Sequence, residues 1–131
     1  MIVLDTHAWL WWLHDPSRLS PLARRVVAKA EDEDGIIVSA VSVWEVATKH
    51  ALGKLALPMP IEAWFKLAGT YRGLSIEPVS AGDALASACL PGAFHKDPAD
   101  RLIVALARRL QARLVTADGL IRAYPYVVTV W

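Results

Sequence analysis

Cysteine and long apolar runs are both scarce in this sequence. Cys89 is the one cysteine among 131 residues, so a single chain can form neither a disulfide framework nor a thiolate zinc site. We interpret Cys89 as a small buried hydrophobe. No apolar run approaches the roughly 18 residues of a membrane span, and Asp5 interrupts the N-terminal stretch that a signal peptide would need. We therefore expect an intracellular, cytoplasmic protein without membrane attachment.

Net charge is also small, at +1. Such a balance gives no overall attraction to nucleic acid, so any site for a polyanion must come from local patches or from metal ions.

The size and the apolar content of the chain point to one domain that meets another protein. A chain of 131 residues fits a single core, and we treat residues 1–131 as one domain. The composition is 55% hydrophobic with six tryptophans, which is rich for a domain of this size. Some apolar surface is therefore expected to pack against another chain, in a homo-oligomer or a tight complex.

Short apolar runs alternate with helical patterns along the whole chain. Strands are predicted at 2–4, 36–38, 74–79, 113–116 and 127–130. Helices are predicted at 7–13, 21–30, 42–53, 61–71 and 97–110, after Ser80 and, as a short turn, after Asp118. The acidic run 31–35 is interpreted as the solvated end of the second helix. This alternation predicts an α/β fold whose parallel sheet is covered on both faces.

Four acids from distant segments follow or adjoin the predicted strand ends: Asp5, Glu45, Asp100 and Asp118. Because ligands of open parallel sheets bind beyond the carboxyl ends of the strands, these acids are expected to meet at one edge.

Helix capping is the competing interpretation for most of these acids. Glu45 is the fourth residue of a Ser-x-x-Glu capping box that begins at Ser42. Asp97 is more simply a helix cap than a ligand, and an acid at Asp100 suits the first turn of that helix. Asp118 can cap or turn the chain before a glycine. Asp5 suits a capping role least.

A cluster of four acids requires a cation, because ionised carboxylates repel one another. Two ionised carboxylates about 5 Å apart repel by roughly 3 kcal/mol at an effective dielectric near 20. A divalent cation relieves that repulsion, and all-oxygen ligands favour Mg²⁺ or Mn²⁺ over zinc. Such ions suit phosphoryl chemistry, since they activate water and stabilise charge on attacking and leaving oxygens.

Four ordered motifs resemble those of the PIN-domain ribonucleases, and most closely those of VapC-like toxins of type II toxin-antitoxin systems. The motifs are Met1-Ile-Val-Leu-Asp5-Thr-His-Ala-Trp-Leu-Trp, Ser42-Val-Trp-Glu45-Val-Ala-Thr-Lys49 with Gly53-Lys54-Leu55, His95-Lys-Asp97-Pro-Ala-Asp100-Arg101-Leu-Ile, and Thr116-Ala-Asp118. The resemblance implies a PIN-like three-layer α/β/α sandwich with a five-stranded parallel sheet. It also implies a homodimer, a cognate VapB-like antitoxin, and cleavage of RNA that depends on Mg²⁺ or Mn²⁺.

The resemblance further implies roles for particular residues. Asp5, Glu45, Asp100 and Asp118 correspond to the metal-binding, catalytic acids of the family. Asp97 belongs to a subgroup pattern, and Ala99 replaces an aromatic residue of that pattern. Water is expected to be the nucleophile, giving a 5′-phosphate and a 3′-hydroxyl.

Several neighbouring side chains are candidate auxiliaries. Thr6 and Thr116 can hydrogen-bond to the acids or to water, or serve as caps and strand ends. Lys49 stands four residues after Glu45, and an ordinary helical ion pair is favoured over a phosphate contact. Arg101, beside Asp100, is open to the same two interpretations.

Histidines, tryptophans and a basic helix patch receive structural interpretations. His7 and His95 are placed outside the metal shell. The tryptophans are assigned to core or interface packing before base stacking, and Trp44 and Trp64 are expected on helix core faces. The basic patch of Arg24, Arg25 and Lys29 is expected to be a solvated face. The resemblance also implies that the C-terminal segment of the antitoxin lies over a groove at the acids and blocks them.

Two alternative functions remain open. A haloacid-dehalogenase-like phosphatase also places an aspartate after its first strand, but it needs a second one two residues later, where this chain has His7. A catalytically inactive PIN-like module that binds RNA or protein is the non-enzymatic alternative, and the presence of all four acids argues against it.

Overall fold

The alternating elements form an α/β fold, as predicted. The computed structural model describes residues 1–33 and 35–131. Its strands are β1 (Ile2–Leu4), β2 (Ile36–Ser39), β3 (Leu74–Glu77), β4 (Arg113–Val115) and β5 (Thr129–Val130). Its helices are α1 (Thr6–His14), α2 (Pro21–Asp32), α3 (Ala40–Ala51), α4 (Ile61–Ala68), α5 (Ala81–Ala88), α6 (Pro98–Leu110) and α7 (Gly119–Ala123), with a 3-10 turn at Pro16–Arg18. In the acidic run 31–35, α2 ends at Asp32, and Asp34 lies outside the described residues. Within the described ranges, no helix is both long enough and apolar enough to cross a membrane.

The strands form one parallel sheet in the order β3-β2-β1-β4-β5. Helical crossovers separate the strands along the chain, and this connection makes neighbouring strands parallel. In the register, Leu4 lies opposite Val38 of β2 and Val115 of β4, so these three strands end at a common edge. β1 therefore has β2 as its neighbour on one side and β4 on the other. The crevice at such a reversal of strand order is where open α/β sheets bind ligands.

The core has two layers because alternate residues of β1 point to opposite faces of the sheet. Leu4 packs with Trp9 and Trp64 on the side of α1, α2 and α4. Val3 packs with Ile103 and Leu106 of α6 on the other side. Helices therefore cover both faces, which fixes the sheet edge as the place where polar side chains gather.

Two predictions of burial were wrong. Trp64 is buried as expected, but Trp44 is 60% exposed, because Val41, Ser42 and Val46 form the buried side of α3. Cys89 is exposed as well, since it caps the carboxyl end of α5.

Candidate metal centre

A cleft of about 190 Å³ at the carboxyl edge of the sheet brings the predicted acids together. Its lining residues are Asp5, Thr6, His7, Glu45, Lys49, Asp97, Asp100 and Asp118. The acids arrive there from four separate segments: the end of β1, the second turn of α3, the start of α6 and the residue before α7. The cleft lies at the reversal of strand order beside β1.

Asp5 is a helix cap, contrary to expectation. It is the single residue between β1 and α1, and its extended backbone places it at the N-cap position. Its Oδ1 accepts a hydrogen bond from the Ala8 amide at 2.8 Å, and its Oδ2 accepts one from the buried Thr116 hydroxyl. These bonds fix the orientation of the carboxylate, and each oxygen keeps a further lone pair for a cation.

Glu45 is not part of a capping box. Ser39 caps α3, its hydroxyl accepting from the Val41 amide at 3.1 Å, so the helix begins two residues before the predicted start. Glu45 therefore lies in the second turn, too far along to reach back to the cap.

Two side chains hold the Glu45 carboxylate instead. The Thr6 hydroxyl donates to Oε1 at 2.6 Å, and Lys49 Nζ lies 3.0 Å from Oε2. Thr6 has one hydroxyl proton and a carboxylate only accepts, so the Ser42 hydroxyl, 2.8 Å from that of Thr6, donates to Thr6 in turn. The predicted helical ion pair of Lys49 is confirmed. Ser42 supports Thr6 and, through it, Glu45. The sequence did not predict this role, because Ser42 fits the pattern of a helix cap.

Asp97 is a helix cap, as predicted. Asp97 caps α6, accepting from the Asp100 amide at 3.0 Å. Asp100 thus stands in the first turn of α6, and its Oδ2 lies 3.0 Å from His95 Nε2. That contact lacks hydrogen-bond geometry, since Nε2 has no hydrogen-bond partner among the described residues. It is a close contact between the carboxyl group and the imidazole ring. Ala99 is buried in the α6 core, so its departure from the family pattern concerns packing.

Asp118 caps α7, as the capping interpretation anticipated. Its Oδ1 accepts from the amides of Leu120 and Ile121 at 2.9 and 3.0 Å. Its own amide donates to the Thr116 hydroxyl at 3.0 Å, and that hydroxyl donates to Asp5. Thr116 therefore ties two of the acids together from beneath the cleft.

Arg101 does not line the cleft. Its guanidinium donates to the carbonyl oxygens of Ser87, Phe94 and His95 at 2.8 to 3.1 Å. These bonds fix the segment that presents His95 to Asp100. The role of Arg101 is structural.

Burial and negatively charged neighbours raise the pKa values of Asp100 and Asp5. The pKa of Asp100 rises to about 7, first because the carboxyl is partly buried and then because Asp97, Asp118, Glu45 and Asp5 surround it with negative charge. Burial also raises the pKa of Asp5, although hydrogen bonds from Thr116 and Ala8 oppose the rise. The cluster therefore resists full ionisation by itself, which is the property expected of a site that binds a cation.

The donor set suits a hard divalent ion, although the ligands are not already assembled. The cleft offers carboxylate oxygens and no thiolate, which favours Mg²⁺ or Mn²⁺. Across residues 1–33 and 35–131, no three Asp, Glu, His or Cys side chains are grouped as ligands of one ion. Glu45 instead faces the Lys49 ammonium, and Asp100 faces the His95 ring.

Comparison with known proteins agrees with this architecture. A profile of the PIN domain family matches residues 2–125. Ribonuclease VapC22 of Mycobacterium tuberculosis is 38% identical over 133 residues, covering 99% of this chain and 98% of that protein.

Solved structures share the fold. VapBC2 of Rickettsia felis, bound to a promoter DNA fragment, superposes with a TM-score of 0.71 at 17% identity, covering 99% of this chain and 98% of the other. A toxin-antitoxin complex from Klebsiella pneumoniae superposes with a TM-score of 0.65 at 16% identity, covering 98% and 97%. With 38% identity to VapC22 over nearly the full length and with the acids gathered at the sheet edge, this chain belongs to the PIN domain family as a VapC-like member.

Proposed function

We propose that this protein is an endoribonuclease that depends on Mg²⁺ or Mn²⁺ and acts as the toxin of a toxin-antitoxin pair in the cytoplasm. The observation that carries the proposal is the cleft in which five acids from four segments meet, with the pKa of Asp100 raised to about 7 by its neighbours. The name of its relative VapC22 as a ribonuclease supports RNA as the substrate.

Asp5, Glu45, Asp100 and Asp118 would hold the ion, and the remaining polar residues would orient them. When bound, such an ion makes a water more acidic and stabilises charge on phosphate oxygens. The Thr116 hydroxyl fixes Asp5, and the Ser42–Thr6 pair fixes Glu45. Holding Asp5 and Glu45 in place lowers the cost of gathering the ligands around an ion.

The proposed reaction is hydrolysis. The water oxygen forms a bond to phosphorus, the bond from phosphorus to the 3′ oxygen breaks, and that oxygen takes up a proton as it leaves. The products are a 5′-phosphate and a 3′-hydroxyl. A carboxylate of the cleft accepts the proton lost by the water.

Glu45 and Asp100 would change partners when an ion binds. Lys49 Nζ pairs with Glu45 Oε2 at 3.0 Å. An ion that takes over Glu45 leaves the Lys49 ammonium free to contact a phosphate at the same cleft, which it also lines. We propose Lys49 as an auxiliary of this kind, and Asp97 as a cap that contributes negative charge.

Purified protein with labelled RNA tests the nuclease proposal. Cleavage is expected in Mg²⁺ or Mn²⁺ and not in EDTA, and Asp5→Asn or Asp100→Asn should abolish it. A matched control is Asp83→Asn, whose carboxylate is held by Arg109 outside the cleft. Products that carry 2′,3′-cyclic phosphate, or cleavage that survives EDTA, would refute the mechanism. RNA binding without cleavage under any metal would favour the inactive binding module.

The proposed partners are a VapB-like antitoxin and a second copy of this chain. Large exposed apolar side chains support such contacts, among them Trp44, Leu52 and Leu85, which are 60 to 69% exposed. Similar solved structures include VapBC2 and a toxin-antitoxin complex. Light scattering of the protein alone should give the dimer mass. A monomer at micromolar concentration would remove the homodimer from the proposal and leave the nuclease untouched.

A further inference from the structure

A second cleft, of about 230 Å³, opens beside the acidic one. It is lined by Asp5, His7, Trp11, Ala117 and Asp118. Asp5, His7 and Asp118 also line the acidic cleft, so the two share a wall. A molecule with its phosphate at the acids would place an adjacent group in this second cleft.

The wall of the second cleft is aromatic and held in place. The His7 ring lies 5.8 Å from the Trp11 ring, and Trp131 packs on Trp11 at 5.6 Å. The Arg18 guanidinium lies 4.8 Å from the centre of the Trp11 ring. His7 is exposed and Trp11 is half-buried, so the two rings combine an accessible surface with a fixed position.

The chemistry of this cleft selects a flat, neutral ring. The two acids repel an anionic group, whereas the two rings offer a surface for stacking. The Arg18 guanidinium already lies over the Trp11 ring and would repel a second cation, so a base would use the part of the ring that lines the cleft. A nucleobase is flat and uncharged, and it is joined through one sugar to the phosphate that the acidic cleft would receive.

A third cleft beside the acids carries positive charge. Lys49 and Lys54 line it, and His7 and Thr6 belong both to it and to the acidic cleft. An RNA strand at the acids would find ammonium groups in this cleft and aromatic rings in the second one. The lysines suit contacts to the RNA backbone, and the tryptophan suits a base.

We propose that Trp11 and His7 form a stacking site for an unpaired nucleobase next to the phosphate that is cleaved. The proposal rests on the proposed function, since it assumes that RNA reaches the acids. The base must be unpaired because a base inside a duplex has no free face to stack on a side chain. Stacking on an aromatic side chain tolerates any sequence, because every base has a flat π face.

Binding without cleavage tests the site. Fluorescence anisotropy would follow a labelled adenosine decaribonucleotide, and a matched decamer of abasic ribose phosphates, in buffer with Ca²⁺. We expect Trp11→Leu and His7→Ala each to weaken binding of the adenosine decamer by about tenfold, within the range that stacking supplies. Neither change should affect the abasic decamer. Trp12→Leu is the matched control, because Trp12 packs on Tyr71 at 5.4 Å and lines none of the three clefts.

Several outcomes would overturn the stacking site. It fails if the abasic decamer binds as tightly as the adenosine decamer, if Trp11→Leu and Trp12→Leu weaken binding equally, or if the wild type binds neither decamer. Should Trp11→Leu not fold, His7→Ala decides, since His7 is exposed. Base-dependent binding without RNA cleavage in any metal would refute the nuclease and keep the stacking site. RNA cleavage by the wild type, together with unchanged binding in both variants, would keep the nuclease and refute the stacking site.

Discussion

Replacing Asp100 with Asn should stabilise the metal-free protein while removing a proposed metal ligand. The pKa of Asp100 rises from 3.8 to about 7, so folding requires this carboxyl to hold its proton more tightly than the unfolded chain does. Stability from that proton is complete below the unfolded pKa and is lost as the pH rises through about 7. Asn has no proton to lose and avoids the penalty.

The magnitude follows from the shift. A change of about three pKa units corresponds to about 4 kcal/mol at pH 8. The side chain of Asp100 is 23% exposed, and solvent screening reduces the gain, so we expect about 2 kcal/mol at pH 8. At pH 5 the unfolded chain has largely released the proton and the folded chain has not, which leaves about 1 kcal/mol. For a domain of this size the gain at pH 8 corresponds to a rise in Tm of roughly 6–10 °C.

Thermal unfolding in EDTA at pH 8 and pH 5 measures this difference. The exposed Glu62 of α4 gives the control Glu62→Gln, which should leave Tm nearly unchanged at both pH values. Added Mg²⁺ should then raise Tm of the wild type at pH 8 much more than that of Asp100→Asn, since binding to the folded state alone stabilises it. Destabilisation of Asp100→Asn at pH 8, or an equal gain at the two pH values, would contradict the raised pKa of Asp100.

Three further predictions concern backbone conformation, the hydrogen bonds that hold the acids, and the affinity for Mg²⁺. Gly73→Ala should lower the free energy of unfolding, measured in urea, by more than 2 kcal/mol, because φ is +80° there and a Cβ would lie 2.6 Å from the Glu31 carbonyl oxygen. Gly53→Ala is the control, since Gly53 has a similar φ but open space around it. That change should cost only about 1 kcal/mol. Thr116→Val should cost about 1–3 kcal/mol and impair cleavage, because it removes the donor to Asp5 and the acceptor for the Asp118 amide; equal activity in the valine variant would contradict that role. Mg²⁺ affinity measured by calorimetry should rise as the pH increases from 6 to 8, because a cation competes with the proton on Asp100; a flat profile would contradict the assignment of this carboxyl as a ligand.

The sequence by itself determined the architecture. Short apolar runs alternate with helical patterns in the sequence. The strands and helices of the structure follow the same order, because each pattern depends on residues close together in the chain. The parallel sheet follows, because crossover helices separate successive strands. The same reasoning located the four acids at one edge, where Asp5, Glu45, Asp100 and Asp118 line a single cleft. Strand ends were less well predicted: β3 ends at Glu77 and β5 begins at Thr129.

Only the tertiary structure decided what each polar residue does at that edge. Asp5 caps a helix although it suited that role least, and Glu45 does not cap although its motif suggested that it would. The Glu45 carboxylate is held by Thr6, 39 positions away, and Asp5 by Thr116, 111 positions away. Trp44 faces outward because the buried side of α3 is fixed by contacts with other elements. Periodicity and capping rules describe neighbours along the chain, whereas these roles depend on hydrogen bonds and burial between segments that meet only when the sheet forms.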